Sequence, residues 1–233
     1  MRSVCNWAHG AGFSYEFVGD KIFDLLPDDY RKAAAGRVPI LTDLGRLLLI
    51  RQALQGPFER AIWVDADVLV FNSDFLSVPS NIGYAFCREI WVQPSGRMPY
   101  GLKCYRNVHN AFCLFERGNA FLDFYIHACE RIVGAAAGQM PNQIVGTKLL
   151  TALHNMVGLP LLETVGMFSP MVVRDVAAGR GEAVSRLRRE ISGPLAAANL
   201  CSSLLGREID GVALTKTLME QVCCRLLEEG FAL

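Results

Sequence analysis

The residues best suited to chemistry are Asp65 and Asp67, two carboxylates one residue apart at the end of the apolar run Ala61-Ile62-Trp63-Val64. Side chains two apart on an extended segment project to the same side, so the pair can address one ligand as the chain leaves a sheet. Left alone, they repel. A hard cation such as Mg²⁺ or Mn²⁺ takes one or two such oxygens and fills its remaining positions with water and diphosphate oxygens. A cation so placed stabilises a departing diphosphate. The tripeptide alone says little, because 11 aspartates among 233 residues generate about 0.5 such pairs by chance. Its position says more. The pair interrupts the most apolar strand-like run in the chain, where an uncompensated charge is costly, and the carboxyl ends of central strands are where α/β folds bind ligands.

A second pair, Asp43 and Arg46, stands three residues apart on an otherwise apolar helix and shares one face. An intrahelical ion pair of small value and a ligand-contacting pair both fit that spacing. The four histidines show no helical metal-pair spacing. Among them His109, next to Asn110 at the end of an irregular stretch, is the candidate for an acceptor site, because loops carry function.

These groups need elements to hold them. Residues 2–12 read as a short helix ending at glycine, and residues 13–18 alternate like a strand. Residues 22–35 carry helical character with Pro27 near a start, and residues 39–55 form a stronger helix closed by Gly56-Pro57. Residues 61–64 and 68–71 flank the acidic pair and read as one strand buried on both faces, in the middle of a sheet. Residues 79–86 and 111–115 read as later strands, and 120–137 as a long helix. Residues 90–110, rich in Gly, Pro, Arg and Tyr, read as a working loop that shapes the acceptor site. The remainder reads as mostly helical, with charged faces over 175–190 and 215–229.

Taken in order, Asp43-x-x-Arg46, an apolar helix, a polar break over residues 55–60 and Ile62-Trp63-Val64-Asp65-Ala66-Asp67-Val68 resemble the sugar-binding and DXD segments of GT-A glycosyltransferases. The resemblance is closest to retaining DXD sugar transferases of the capsule and mannosyl transferase type, and remote to the glucosylating clostridial toxins. It covers residues 15–90 best and implies an α/β, GT-A-like mixed sheet flanked by helices; the chain length and the lack of a linker make 1–233 a single domain. It implies metal-dependent transfer of a sugar from a nucleotide-diphospho-sugar to a hydroxyl acceptor, with Mn²⁺ or Mg²⁺ as cofactor and retention of configuration. Asp43 and Arg46 would hold donor-sugar hydroxyls, Asp65 would touch ribose or sugar as well as metal, and Asp67 would bind metal.

Looser matches follow. Asn142 and Gln143 resemble the donor-face polar pair of related transferases, although a helix N-cap fits them as well. Gly146-Thr147-Lys148-Leu149-Leu150-Thr151 is similar to a turn of the family, without its proline. The small-residue stretch 194–203 resembles the C-terminal segment that completes the metal shell. The oxygens of Asn199 and Ser202 are admissible hard-cation ligands there, and a capped helix start is the alternative. The family's leading strand, whose end meets the nucleotide base, is expected to be missing, because the sequence starts almost at the helix that follows it.

Two other readings stay open: a haloacid-dehalogenase-like phosphatase with Asp65 as nucleophile and Asp67 as acid/base, and a non-catalytic GT-A-fold binding protein. Composition narrows the field further. With 52% hydrophobic residues the chain can bury a sizeable core, and 23 basic against 23 acidic residues give no field to attract nucleic acid. No stretch reaches the roughly 20 apolar residues of a membrane span. The eight cysteines lack zinc-site spacing and read as buried thiols, so a cytoplasmic location, with a possible peripheral membrane surface, is the expectation.

Overall fold

The organising helix is α3 (Val38–Gln55), with Pro39 in its first turn and Gly56 after its last. Ile40, Leu44, Leu47, Ile50 and Leu54 recur at helical spacing and are buried, and Asp43 and Arg46 lie within the same buried surface. Gly45 has a packing reason: a Cβ there would sit 2.9 Å from Ile22, so its absence lets the 3₁₀ turn Asp20–Leu25 lie against the helix. Against α3 pack α2 (Asp28–Ala34) and α4 (Ala120–Ala135), the last capped by Asn119, whose side chain accepts from the Phe121 N–H, while α1 (Arg2–Gly10) lies against residues 68–70. The computed structural model describes residues 1–96, 101–136 and 139–231. Ala137, the last residue of the predicted long helix, lies outside them, as do residues 97–100 of the predicted loop.

The fold is mixed α/β, a curled mixed sheet flanked by helices. In the first sheet β1 (Arg60–Val64), β3 (Tyr84–Pro94), β4 (Leu102–Glu116) and β5 (Leu161–Leu162) run in the order β1-β4-β3-β5. Neighbours are antiparallel except β5, which runs parallel to β3. A second sheet has the order β2-β7-β6, from β2 (Val68–Val70), β6 (Val165–Met167) and β7 (Ala197–Asn199). A small hairpin pairs β8 (Glu208–Ile209) with β9 (Val212–Ala213).

The apolar run around the acidic pair is therefore not one central strand. β1 is a half-buried edge strand of the first sheet, and β2 belongs to the second. The Asp65 N–H donates to the Ala111 carbonyl at 2.7 Å, the Val68 N–H closes a turn onto Asp65 O at 3.0 Å, and the Leu200 N–H then reaches Asp67 O at 3.1 Å. The acidic tripeptide is the joint between two sheets.

Three apolar clusters fill the interior. One lies between the first sheet and α2 to α4, together with α5 (Leu149–Val157). Another packs the far ends of β3 and β4 against α6 (Pro170–Ala178), α7 (Glu182–Glu190) and α8 (Lys216–Glu229). The third joins α1 to both sheets.

Several expectations change. Residues 90–110 are mostly the two arms of the β3–β4 hairpin, whose inward Ile90 and Val92 pack on α6 and α7. Residues 13–18 form no strand despite their alternation. The segment 175–190 is two helices, because Gly179 and Gly181 adopt positive φ between them. The C-terminal half contains β5 to β9 among its helices. Cys87, Cys113, Cys129 and Cys201 are buried, Cys5, Cys104 and Cys223 are half-buried, and Cys224 is exposed; all eight are free. Among the described residues no helix is long and apolar enough to cross a membrane.

Candidate functional site

The site is built from the ends of β1 and β7, backed by α3. At its base, Arg46 reaches out of α3 with its guanidinium between two carboxylates: Nη2 lies 3.4 Å from Asp43 Oδ1 and Nη1 lies 3.3 Å from Asp65 Oδ1. Nη1 also donates to the Asn110 carbonyl at 2.6 Å, and Nε to the Thr42 carbonyl at 3.3 Å. Asp43 Oδ1 accepts from Asn110 Nδ2 at 2.9 Å, and the same amide approaches Tyr125 Oη at 3.3 Å. The Tyr125 hydroxyl donates to Val145 O at 2.7 Å and anchors the turn in which Gly146 lies against the Asp43 carboxylate; a Cβ at Gly146 would stand 2.8 Å from Asp43 Oδ2. Trp63, the indole facing Arg46 at 5.5 Å, donates from Nε1 to Asp65 Oδ1 at 2.5 Å.

Asp43 and Arg46 are each only 5% exposed. Expected from the resemblance to hold donor-sugar hydroxyls, they form in this structure an inner layer that fixes Asp65. Burial opposes the guanidinium charge, but Asp65 and Asp43 outweigh it and hold the Arg46 pKa above its ordinary value. Burial likewise raises the Asp43 carboxyl against the opposing pull of Arg46 and Asn110. Asp65 is raised to about 6, mainly by burial; Arg46 and Trp63 pull it down, and Asp67 and Asp43 push it up. Its Oδ1 takes both internal donors, which leaves Oδ2 for an external partner.

Asp67 is held differently. Asn199 Nδ2 donates to Oδ1 at 2.6 Å, and Ser202 donates to Oδ2 from its backbone N–H at 2.9 Å and from Oγ at 3.3 Å. Three residues singled out in sequence, two of them more than 130 positions from the first, thus converge within hydrogen-bond distance. As it stands, Asn199 supplies Asp67 with an amide N–H, while its own Oδ1 accepts the Cys201 N–H at 2.7 Å. That bond holds Cys201 in its left-handed conformation, φ 53°.

Other candidates fall elsewhere. Asn142 and Gln143 are exposed in the turn before the π-helical segment Ile144–Lys148, and neither makes a side-chain cap. His109 is 1% exposed, within β4 and not in a loop. Its Nδ1 takes the Ala111 N–H, and burial, partly offset by the Val165 backbone and aided by Arg46, lowers its pKa to about 4. The imidazole expected at an acceptor site is thus enclosed in this structure. A carboxylate the sequence did not reveal is Glu89 on β3, 6% exposed. Asn107 donates to it at 2.6 Å, and burial, partly offset by that bond, raises it to about 6. Burial raises the Cys201 thiol pKa, and Asp67, Glu89 and Asp65 add to that rise. A lone Glu in a charged, Gly-rich stretch gave no signal; only the β3–β4 register shows which way it faces.

The donor set is all oxygen and contains two neighbouring carboxylates; among the described residues no three His, Cys, Asp or Glu side chains group closely enough to cage an ion. Oxygen ligands of this kind are those that hard cations such as Mg²⁺ or Mn²⁺ take. Compared with protein-family models, curated proteins and solved structures, the chain finds no match.

Proposed function

We propose that the chain binds a nucleotide-diphospho-sugar through a divalent cation at Asp65 and Asp67 and transfers the sugar to a hydroxyl acceptor, as a GT-A-like glycosyltransferase. The observation that supports this best is the convergence of Asn199 and Ser202 on Asp67, beside an Asp65 whose inner oxygen is fixed by Arg46 and Trp63. Two preorganised carboxylates with hydrogen-bonded backs suit an ion that arrives with a diphosphate. When bound, that ion offsets the charge developing on the departing diphosphate.

The protein's own contribution is positioning. Arg46 and Asp43 set Asp65. Asn199 and Ser202 set Asp67, and the Ser202 hydroxyl can rotate to present its oxygen outward. Calorimetry with UDP- and GDP-sugars, with and without Mn²⁺, tests the reading, followed by assays of donor hydrolysis. Mn²⁺-dependent binding and hydrolysis are expected. Binding without hydrolysis would favour the non-catalytic reading, and no binding to the folded chain would refute both.

A further inference from the structure

The outer edge of β1 is open. In the β1–β4 ladder the Asp65 N–H bonds to Ala111 O and the Arg117 N–H bonds to Glu59 O, so the odd-numbered residues of this segment face β4. The backbone N–H and C=O groups of Arg60, Ile62 and Val64 therefore point the other way, and β1 ends its sheet on that side. No described backbone group outside the strand ladders bonds to them. Buried or half-buried backbone groups normally find partners, and an unpaired strand edge is a template for another strand.

The edge does not lie on a flat surface. It forms the floor of a trench of about 680 Å³. One wall is the outer face of α3, with Leu49, Ile50 and Ala53; the other carries Val4 and Trp7 of α1 and Tyr15. These walls continue the two faces of β1: Ala61 and Trp63 pack with the α3 cluster, and Ile62 and Val64 with the α1 cluster. Exposed Met1, Phe17 and Phe58 lie along the trench, with Phe17 at 60% exposure. An occupant matching this surface has alternating backbone donors and acceptors at strand spacing and apolar side chains on both sides.

We propose that β1 accepts an extended, apolar peptide segment of about five residues as an added strand, its side chains alternating between the α3 and α1 walls. This would complete a sheet whose edge strand is otherwise half-buried and half-paired. The trench reaches Asp65 and Ala66, so its occupant lies beside the proposed donor site, although strand addition itself needs neither a metal nor a nucleotide.

The test uses a fluorescein-labelled, lysine-flanked peptide with a Val-Ile-Val-Ile-Val centre and two versions N-methylated at alternate residues, one in each phase. Binding is followed by fluorescence polarisation, and amide exchange of the protein is read residue by residue. The expected result is saturable binding of the parent peptide, with at least tenfold slower exchange at Arg60, Ile62 and Val64. One N-methylated version should retain binding and the other should lose it, because only one phase blocks the N–H groups that face β1. Equal binding of both versions, or binding without protection of those three amides, would overturn strand addition. Protection of the same amides in the free protein at all concentrations would assign the edge to the chain's own residues 13–18. Protection that rises with protein concentration would assign it to a second copy, and protection by UDP alone would assign the trench to a nucleotide. Each of these results overturns the proposal.

Discussion

Replacing Arg46 with Met tests whether one buried cation holds the site together. The substitution keeps an unbranched stem of similar reach but removes the charge between Asp43 and Asp65, which lie 3.4 and 3.3 Å from the guanidinium. Breaking a buried ion pair by removing one partner costs about 3–5 kcal/mol, because the remaining charge is left desolvated. In a chain of 233 residues, where 1 kcal/mol shifts the midpoint by about 2–4 °C, a penalty of ~4 kcal/mol lowers Tm by about 8–16 °C. The penalty depends on pH. Asp65 already titrates near 6 with Arg46 present, and without it both carboxyls rise further in the folded state. An acid whose folded pKa exceeds its unfolded value binds more protons when folded, so stability is regained as pH falls. A tenfold gain in proton affinity at Asp65, starting from about 6, narrows the gap between wild type and Arg46→Met by about 1 kcal/mol between pH 7 and pH 5, and a rise at Asp43 adds to it. Urea denaturation followed by circular dichroism at both pH values measures it. A penalty below about 1 kcal/mol at pH 7, or one unchanged at pH 5, would refute the picture of two desolvated carboxylates sharing one cation.

Further outcomes follow from the same structure. Asp67→Ala should reduce Mn²⁺-dependent binding of UDP and GDP at least tenfold while shifting Tm by only a few degrees, since the side chain is half-exposed; undiminished metal-dependent binding would move the site elsewhere. Glu89→Gln should stabilise the protein at pH 7.5 by up to about 2 kcal/mol and not at pH 4, because the wild-type carboxyl is raised to about 6 and its ionisation works against folding as pH rises from about 4.5 through 6; an equal effect at both pH values in urea melts would contradict the burial of this group. Asp175→Ala should cost about 3 kcal/mol by differential scanning calorimetry, because the buried carboxylate accepts the Ala183 and Val184 N–H groups at the start of α7 and both Arg174 donors. Gly181→Ala should be at least as damaging, since its Cβ would fall 2.0 Å from the same carboxylate.

The sequence revealed the parts whose signal is local. α3 could be read from its Pro39 start and Gly56 end, α8 from charges at helical spacing, and the acidic pair from a break in apolar character. The approach of Asn199 and Ser202 to Asp67 was legible only through a family pattern, since nothing in residues 194–203 announces a partner so far away. What could not be read was pairing. Residues 61–64 and 68–71 are equally apolar, and no composition says that the first pairs with β4 and the second with β7. The hairpin arms of residues 84–116 were hidden because their exposed positions, such as Tyr105 and Arg106, made the stretch look like loop, while the inward positions Ile90, Val92 and Val108 were too far apart to stand out. Residues 13–18 show the opposite case, an alternating pattern that no neighbouring strand takes up.

The acidic joint between the sheets also has a consequence for the timing of folding. Asp65 acquires its partners from α3 and β4, some within twenty-odd positions along the chain, whereas Asp67 waits for β7, over 130 positions downstream. Long-range contacts of this kind bear the largest loop-closure entropy and tend to form last. A ligand that grips both aspartates would therefore act on the step that seats the second sheet against the first. Its signature would be slower unfolding with little change in the refolding rate, so that ligand binding lengthens the lifetime of the native state.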